Sequence, residues 1–531
     1  MIPLHTAAHE PRPAHHRSST TRRARQLTIT LVASAALLLT ACSSNPANNS
    51  NSSEPSSLPS ASTGQIVIAN GEPITAAYYD PHSAIGLVDA QVGSLVFDTL
   101  LKMDKSGAVS PNLAESFTRV SDTEVDVVVR SGVKFHDGST LTPTDVAASL
   151  NRLLDPKSAL AAALFAAPGK ATVAGNTVKI VTDKPFGPLE NSLAVVPIVP
   201  EKDIKKPDNW KNKPTGSGPY TFVSNAGSDL TFKANPNYWG TKAGIETVIV
   251  RYIEDADARQ AALLSGQVDI STRVGPEQVN GVKGNDQITV VKDQSPPAQI
   301  LQVWQQNGAL KDVRVRQALA YAVDRETIAS AIMRGMNKVG FNSMPTNTPG
   351  YQAATEKFAH DPAKARELLK AAGYDNSLTL TMATSTLVPK QLEIDQAIVG
   401  YLKDVGVTVK VTKLEVGKFR TSYGDYDLSL NTLPTFNNDA SFLLGLSAGG
   451  IGKAIFKAVD PQFDALFATQ RDMVGDARAS AINDAAEYLW DNARALYLSD
   501  ENWVFLVNNR VQNYERAPLI GEPLLANASV R

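Results

Sequence analysis

The residues through which this chain could do covalent chemistry are few, and their spacing argues against most of it. Gly445-Leu446-Ser447-Ala448-Gly449 satisfies G-x-S-x-G, the pattern that presents a serine nucleophile on a sharp strand-to-helix turn. That chemistry needs a histidine base later in the chain, and His82, His136 and His360 all precede Ser447. Gly450-Ile451-Gly452 also spoils the helix start that the turn requires. Gly216-Ser217-Gly218 could suggest a phosphate loop, but it leads into a strand rather than opening a helix. His136 beside Asp137-Gly138 reads as a turn residue. There is no H-E-x-x-H, and a single cysteine builds no metal cluster. Neither cofactor nor metal is expected, and a secreted serine hydrolase stays only as the alternative of a different class.

The one cysteine, Cys42, stands where a different chemistry would use it. Residues 1–26 carry five arginines against one acid, and a 14-residue largely apolar stretch follows, Leu27–Thr40. Such a helix reaches roughly 21 Å, short of a hydrocarbon core of about 30 Å. This is the pattern of an export signal rather than a spanning helix. Leu39-Thr40-Ala41-Cys42 resembles the bacterial lipobox, in which the thiol takes a diacylglyceryl group and the cysteine becomes the first mature residue. A membrane anchor through Cys42 is expected, on the outer face of the cytoplasmic membrane. Arg22-Arg23 invites a twin-arginine reading, but Arg25 stands where that signal has an apolar residue. Residues 43–63 are almost all Ser, Asn, Pro and Ala, a linker that can bury no core. Without the leader's five arginines and one acid, the net charge moves from −2 to −6. With no basic stretch, that balance argues against nucleic acid.

The 490 residues after the leader exceed what one hydrophobic core organises, so at least two lobes are expected. Gln65–Ala69 reads as a strand, residues 70–85 as a turn-rich loop and Val88–Leu101 as a helix. Glu124–Arg130, Thr177–Thr182 and the stretch Thr221–Lys233 supply strands. Thr142-Pro143-Thr144-Asp145 caps a helix Val146–Leu154. After about residue 300 helices dominate. Asp312–Ala322 carries one apolar face, Asp361-Pro362 caps a helix that Gly373 closes, and Asp476–Ala493 is long. Leu378–Met382, a helix Pro389–Lys403 and Val407–Val411 make a β-α-β unit with parallel strands. Trp503–Val507 is a late strand.

Eight collinear segments resemble the extracytoplasmic solute-binding proteins of peptide- and nickel-type ABC importers, family 5. The most specific runs from Arg130-Ser131-Gly132-Val133-Lys134-Phe135-His136-Asp137-Gly138 to Leu141-Thr142-Pro143-Thr144-Asp145-Val146. Pro111–Phe117, Pro214–Tyr220, Asn235–Gly240, Leu264–Asp269, Val313–Leu319, Asp324–Glu326 and Ala363–Leu369 complete the set. Phe135, Trp239 and Leu319 read as core, and Arg314 and Arg316 as partners for acids at a lobe surface. The resemblance implies an α/β, two-lobed periplasmic-binding-protein-like fold with a hinge and an extra subdomain in the N-terminal lobe. Lobe I would hold 64–298 and 503–531, lobe II 299–502, with hinges at Pro296-Pro297 and Asn502-Trp503. It further implies capture of a peptide or similar small polar solute by lobe closure, delivery to ABC permease subunits, and a monomer. A receptor that feeds signalling on the same fold is not separated by sequence.

If the fold carries over, three stretches border the cleft. They supply Tyr78, Tyr79 and His82; Trp304; and the polar loop 431–442. In peptide-binding relatives a Trp and then an Asp precede the Phe matched here by Phe442, and that Asp pairs with the peptide amine. Without gaps its place is Thr435 and the Trp place is Thr432; a gap brings in Asp439, with Asn437 and Asn438 as hydrogen-bonding neighbours. The scaffold matches better than this specificity element.

Overall fold

The computed structural model describes residues 64–531 except 73–79, 83–86, 105–107, 155–168, 207–209, 211–212, 293–297, 305–307, 341–342, 346–347, 349, 351, 353–356, 434–436, 448–459, 517–522 and 526. Three sheets carry it. A seven-stranded sheet runs in the order Ile288–Lys292, Val504–Asn508, Ile270–Ser271, Gln65–Asn70, Thr247–Tyr252, Asp229–Ala234, Tyr220–Ala226. A five-stranded sheet runs Thr408–Lys413, Thr379–Thr384, Leu428–Leu433, Ala298–Val303, Ala495–Asp500. The chain therefore passes from the first sheet to the second between Lys292 and Ala298, and returns between Asp500 and Val504.

The third sheet is an antiparallel four-stranded one, Ala114–Ser121, Glu124–Val129, Thr177–Thr182, Gly169–Ala174. Glu124–Val129 alternates half-buried and buried, as a strand with one wet face must. The helix Pro143–Leu154 covers it and buries Val146, Leu150 and Leu153. Thr142 and Asp145 cap that helix reciprocally: the Thr142 amide donates to Asp145 Oδ2 at 2.9 Å, the Asp145 amide to Thr142 Oγ1 at 3.4 Å. Such caps contribute about 1 kcal/mol each. Asp312, Asp324, Asp361 and Asp460 do the same for four more helices, each accepting from a backbone amide of the first turn.

Thr379–Thr384 and Thr408–Lys413 are parallel, joined by the helix Gln391–Asp404, as the β-α-β reading expects. The helix expected over 88–101 ends at Val96, and Leu101–Met103 is a strand. Tertiary contact overrides the apolar run there. Gly218 donates its amide to the Val96 carbonyl at 2.9 Å, and a Cβ on Gly216 or Gly218 would collide with Val96 backbone. Just beyond, the buried Asp98 carboxylate accepts from Ser217, Tyr238 and Trp239. Two of the family-like segments are thus tied to one aspartate, whose carboxyl burial pushes above the usual range.

Arg314 pairs with Asp312 at 2.6 Å on the surface. Arg316 departs from its expectation. It is buried and donates to the carbonyls of Leu310, Lys311 and Asn492 instead of an acid, because the helix end and the chain beyond Asp491 close over it. Phe135 and Leu319 are buried in separate hydrophobic clusters, and Trp239 packs partly buried against the one that holds Phe135.

Candidate functional site

Where the two larger sheets meet, the strand Gln65–Asn70 runs out into Gly71 and Glu72. Glu72 is 3 % exposed and forms ion pairs with two guanidiniums, Arg273 and Arg420. Arg273 follows the strand Ile270–Ser271 of the same sheet, whereas Arg420 comes from the helix Val416–Ser422 beside the other sheet. The Arg273 guanidinium lies over the Trp503 ring, 5.1 Å from its centroid. Burial pushes Arg273 down to about 10, an effect that the charge of Glu501 opposes. Burial pushes the Glu501 carboxyl up, against Arg273 and the hydroxyl of Thr432, which donates to it. Four charged groups thus share a nearly dry junction at the second crossover. Removing one partner from such a set costs about 3–5 kcal/mol, because a charge is left stranded.

Beside this junction lies a cavity of about 440 Å³, walled by Glu72, Arg273 and Glu277 from one side and Ser385, Lys390 and Gln391 from the other. That size is ordinary for a small-molecule site. Glu277 reaches across the seam to Lys390 at 3.0 Å and to Arg334 at 3.1 Å. A second contact joins the chain near 440 to the four-stranded sheet's subdomain. Asn191 Nδ2 donates to the Asn437 carbonyl at 3.1 Å, Gly187 N donates to Arg471 O at 2.8 Å, and Phe442 sits in the subdomain's core.

The residues proposed from sequence fall in different surroundings. His82 is buried, with Nε2 2.8 Å from the Pro197 carbonyl and its ring edge-on to Trp210. Burial first, then the charge of Arg152, pushes it down to about 4, so the ring is neutral at ordinary pH. Trp304 is fully buried, donating to Ser429 Oγ at 3.0 Å and packed against Tyr423. Asp439 takes the Arg478 fork in two bonds of 2.6 and 2.7 Å and accepts the Ser441 amide at 2.8 Å. Its carboxylate meets any ligand already paired. Asn437 offers Nδ2 to Ser192 Oγ at 3.4 Å, and its buried Oδ1 has no hydrogen-bond partner among the described groups. Asn438 is buried with a left-handed φ of 49°. Thr432 lies on the strand Leu428–Leu433, at the charged junction. Cys42, Tyr78, Tyr79 and Thr435 lie outside the described residues.

Ser447 is the last residue of the helix Ala440–Ser447, so a helix rather than a strand precedes it, and the nucleophile turn is not built. His136 Nε2 lies 2.9 Å from the Gly218 carbonyl, tying its turn to the glycine segment. No group of three or more metal-ligating side chains occurs among the described residues. Nor is any described helix long and apolar enough to cross a membrane. Glu72, Arg273, Arg420 and Glu501 went unread in the sequence; only the turn Asn70-Gly71-Glu72-Pro73 marks any of them.

Two sheets joined by two crossovers, with a charged cavity at their seam, define a two-lobed binding-protein fold. The model of the bacterial extracellular solute-binding proteins, family 5, matches residues 108–453, and the chain belongs to that family. It is 28 % identical over 470 residues to the glutathione-binding protein GsiB of Pectobacterium atrosepticum, covering 86 % of this chain and 90 % of the relative. The ABC transporter-associated periplasmic binding protein DppA of Helicobacter pylori, solved with peptide STSA, superposes with a TM-score of 0.79 at 21 % identity. That match covers 88 % of this chain and 98 % of DppA. AgaA of A. tumefaciens R10, solved with agropinic acid, gives 0.78 at 26 % identity, over 88 % and 99 % of the two chains. The function that goes with this family is capture of a solute and its delivery to an ABC importer.

Proposed function

We propose that this chain captures a small amino-acid-derived solute, peptide-like or opine-like, between lobe I (64–298 and 503–531) and lobe II (299–502), and performs no chemistry on it. The observation that carries this reading is the cavity at the seam, whose walls come from loops and helices on both sides of it and bear charges of both signs. Relatives solved or named with a peptide, glutathione and agropinic acid support the same class of ligand. The closed form is what the permease subunits would recognise, with the protein acting as a monomer. Leu39-Thr40-Ala41-Cys42 supports a lipid anchor through Cys42 that holds it on the outer face of the cytoplasmic membrane.

Mass spectrometry of solute released from the purified protein, joined to small-angle scattering before and after its removal, tests this. The expected result is an amino-acid-derived solute whose removal raises the radius of gyration, with an acyl mass on Cys42. An unchanged radius with saturating solute counts against capture by closure.

A further inference from the structure

Arg273 is held as an anion receptor is held. Its backbone sits at φ 50°, the left-handed region that costs a non-glycine residue energy and is kept where the surroundings impose it. Glu72 grips one end of the guanidinium by an ion pair, and the Trp503 ring lies beneath it. The side chain is nine-tenths buried and lines the cavity, yet Nε has no hydrogen-bond partner among the described groups. A buried N–H without an acceptor is costly, and an arginine fork matches a carboxylate with two parallel bonds. The same lining carries Glu254, Asp255 and Asp257, which are exposed, and each accepts a neighbour's hydrogen bond. One cavity therefore joins a buried arginine to an exposed acidic rim.

We propose, building on the solute-binding reading above, that Arg273 is the specificity residue of the cleft, receiving the carboxylate of a zwitterionic amino-acid-type solute whose ammonium points outward to the acidic rim. Glu72 and Trp503 are positioning residues for that guanidinium. Arg420, paired to Glu72 from the other side of the seam, couples the occupied receptor to closure. A carboxylate bound at the buried arginine is read strictly, whereas an ammonium at the exposed rim is read loosely, because water screens it.

The test is calorimetry on the full chain with glutathione and with the tetrapeptide Ser-Thr-Ser-Ala. Each is used as the free acid, the C-terminal amide and the N-acetyl derivative. Amidation is expected to weaken the better probe by about tenfold or more, and N-acetylation by about threefold or less. Arg273→Met should bring the acid-to-amide ratio near one, while Arg273→Lys keeps part of it, since charge without the fork remains. Glu72 still has Arg420 in both variants, but Glu501 keeps a facing cation only in Arg273→Lys. Arg273→Met is therefore expected to be destabilised and Arg273→Lys to keep the fold. Where Arg273→Met does not fold, an acid-to-amide ratio in Arg273→Lys equal to wild type overturns the assignment. A wild type that prefers the amide, or an Arg273→Met protein that keeps the acid preference, overturns the assignment. If none of the six probes binds but another solute still compacts the chain, the carboxylate assignment falls and the solute-binding reading stands.

Discussion

Asp439 and Glu72 are both buried carboxylates held by arginine, and they sit in opposite mechanical situations. Asp439 is paired within one part of the fold. Arg478 from the long helix Ala477–Asp491 reaches it with both arms, and Ser441 and Gln470 complete the ring of hydrogen bonds. Glu72 is paired with one arginine of its own sheet and one from across the seam. Parting the sheets leaves the first pair intact and breaks half of the second. A buried ion pair inside a rigid unit reports on folding, whereas one across a seam reports on closure. That difference is why Asp439, which only a gapped match would bring into the amine-pairing role, reads here as structure.

The largest expected effect breaks the structural member. Arg478→Ala leaves the Asp439 carboxylate buried without its cation, which should cost about 3–5 kcal/mol. Urea unfolding should show a lower midpoint with an unchanged slope. Stability equal to wild type would mean that Asp439 is free to serve a ligand after all. A somewhat smaller effect concerns the buried His82, which meets Asp80, Arg152, Pro197 and Trp210, all on one side of the seam. Its ring titrates near 6.5 unfolded and about 4 folded, so the unfolded chain takes the proton first as pH falls. The stability it contributes is present above pH 6.5 and is lost on descent toward 4, in all about 3 kcal/mol. His82→Gln should flatten the unfolding free energy across that window. An identical pH slope in wild type and variant would remove the ring from the account.

These residues also mark what could be read without coordinates. Local signals were legible: Asp312 and Asp361 cap the helices their spacing predicts, and Thr177–Thr182 alternates as its strand requires. Asp460-Pro461 repeats the signal of Asp361-Pro362 and opens a helix that the apolar pattern alone did not suggest. Long-range decisions were not legible. The stretch past Val96 looks helical until Asp98 is seen to gather Ser217, Tyr238 and Trp239. Trp304 reads as a cleft aromatic, but its neighbour strand Ala298–Val303 is paired on both sides and draws it into the core. The charged junction is the extreme case. Glu72 and Arg420 are 348 residues apart, and neither stands in a pattern that singles it out from other charges.

The smallest expected effect sharpens the comparison at the seam itself. Glu277 and Lys390 pair across it at 3.0 Å, with side chains 37 % and 22 % exposed, so water screens them as it does not screen Glu72. Such a pair contributes about 0–1 kcal/mol and weakens as salt rises. Lys390 is also a non-glycine residue at φ 60°, at the start of the helix Gln391–Asp404. Lys390→Ala removes the pair and keeps the backbone strain, whereas Lys390→Gly removes the pair and relieves it. The two variants should therefore open equally in ligand-free scattering at low salt, yet the glycine variant should unfold later by up to about 1 kcal/mol, less whatever glycine's freedom returns to the unfolded chain. High salt should bring wild type and both variants to the same radius of gyration if screened pairs alone set their difference. A difference that survives in molar salt would mean that Lys390 acts through packing on the cavity wall, and that the seam is held less by exposed charge than by the buried set around Glu72.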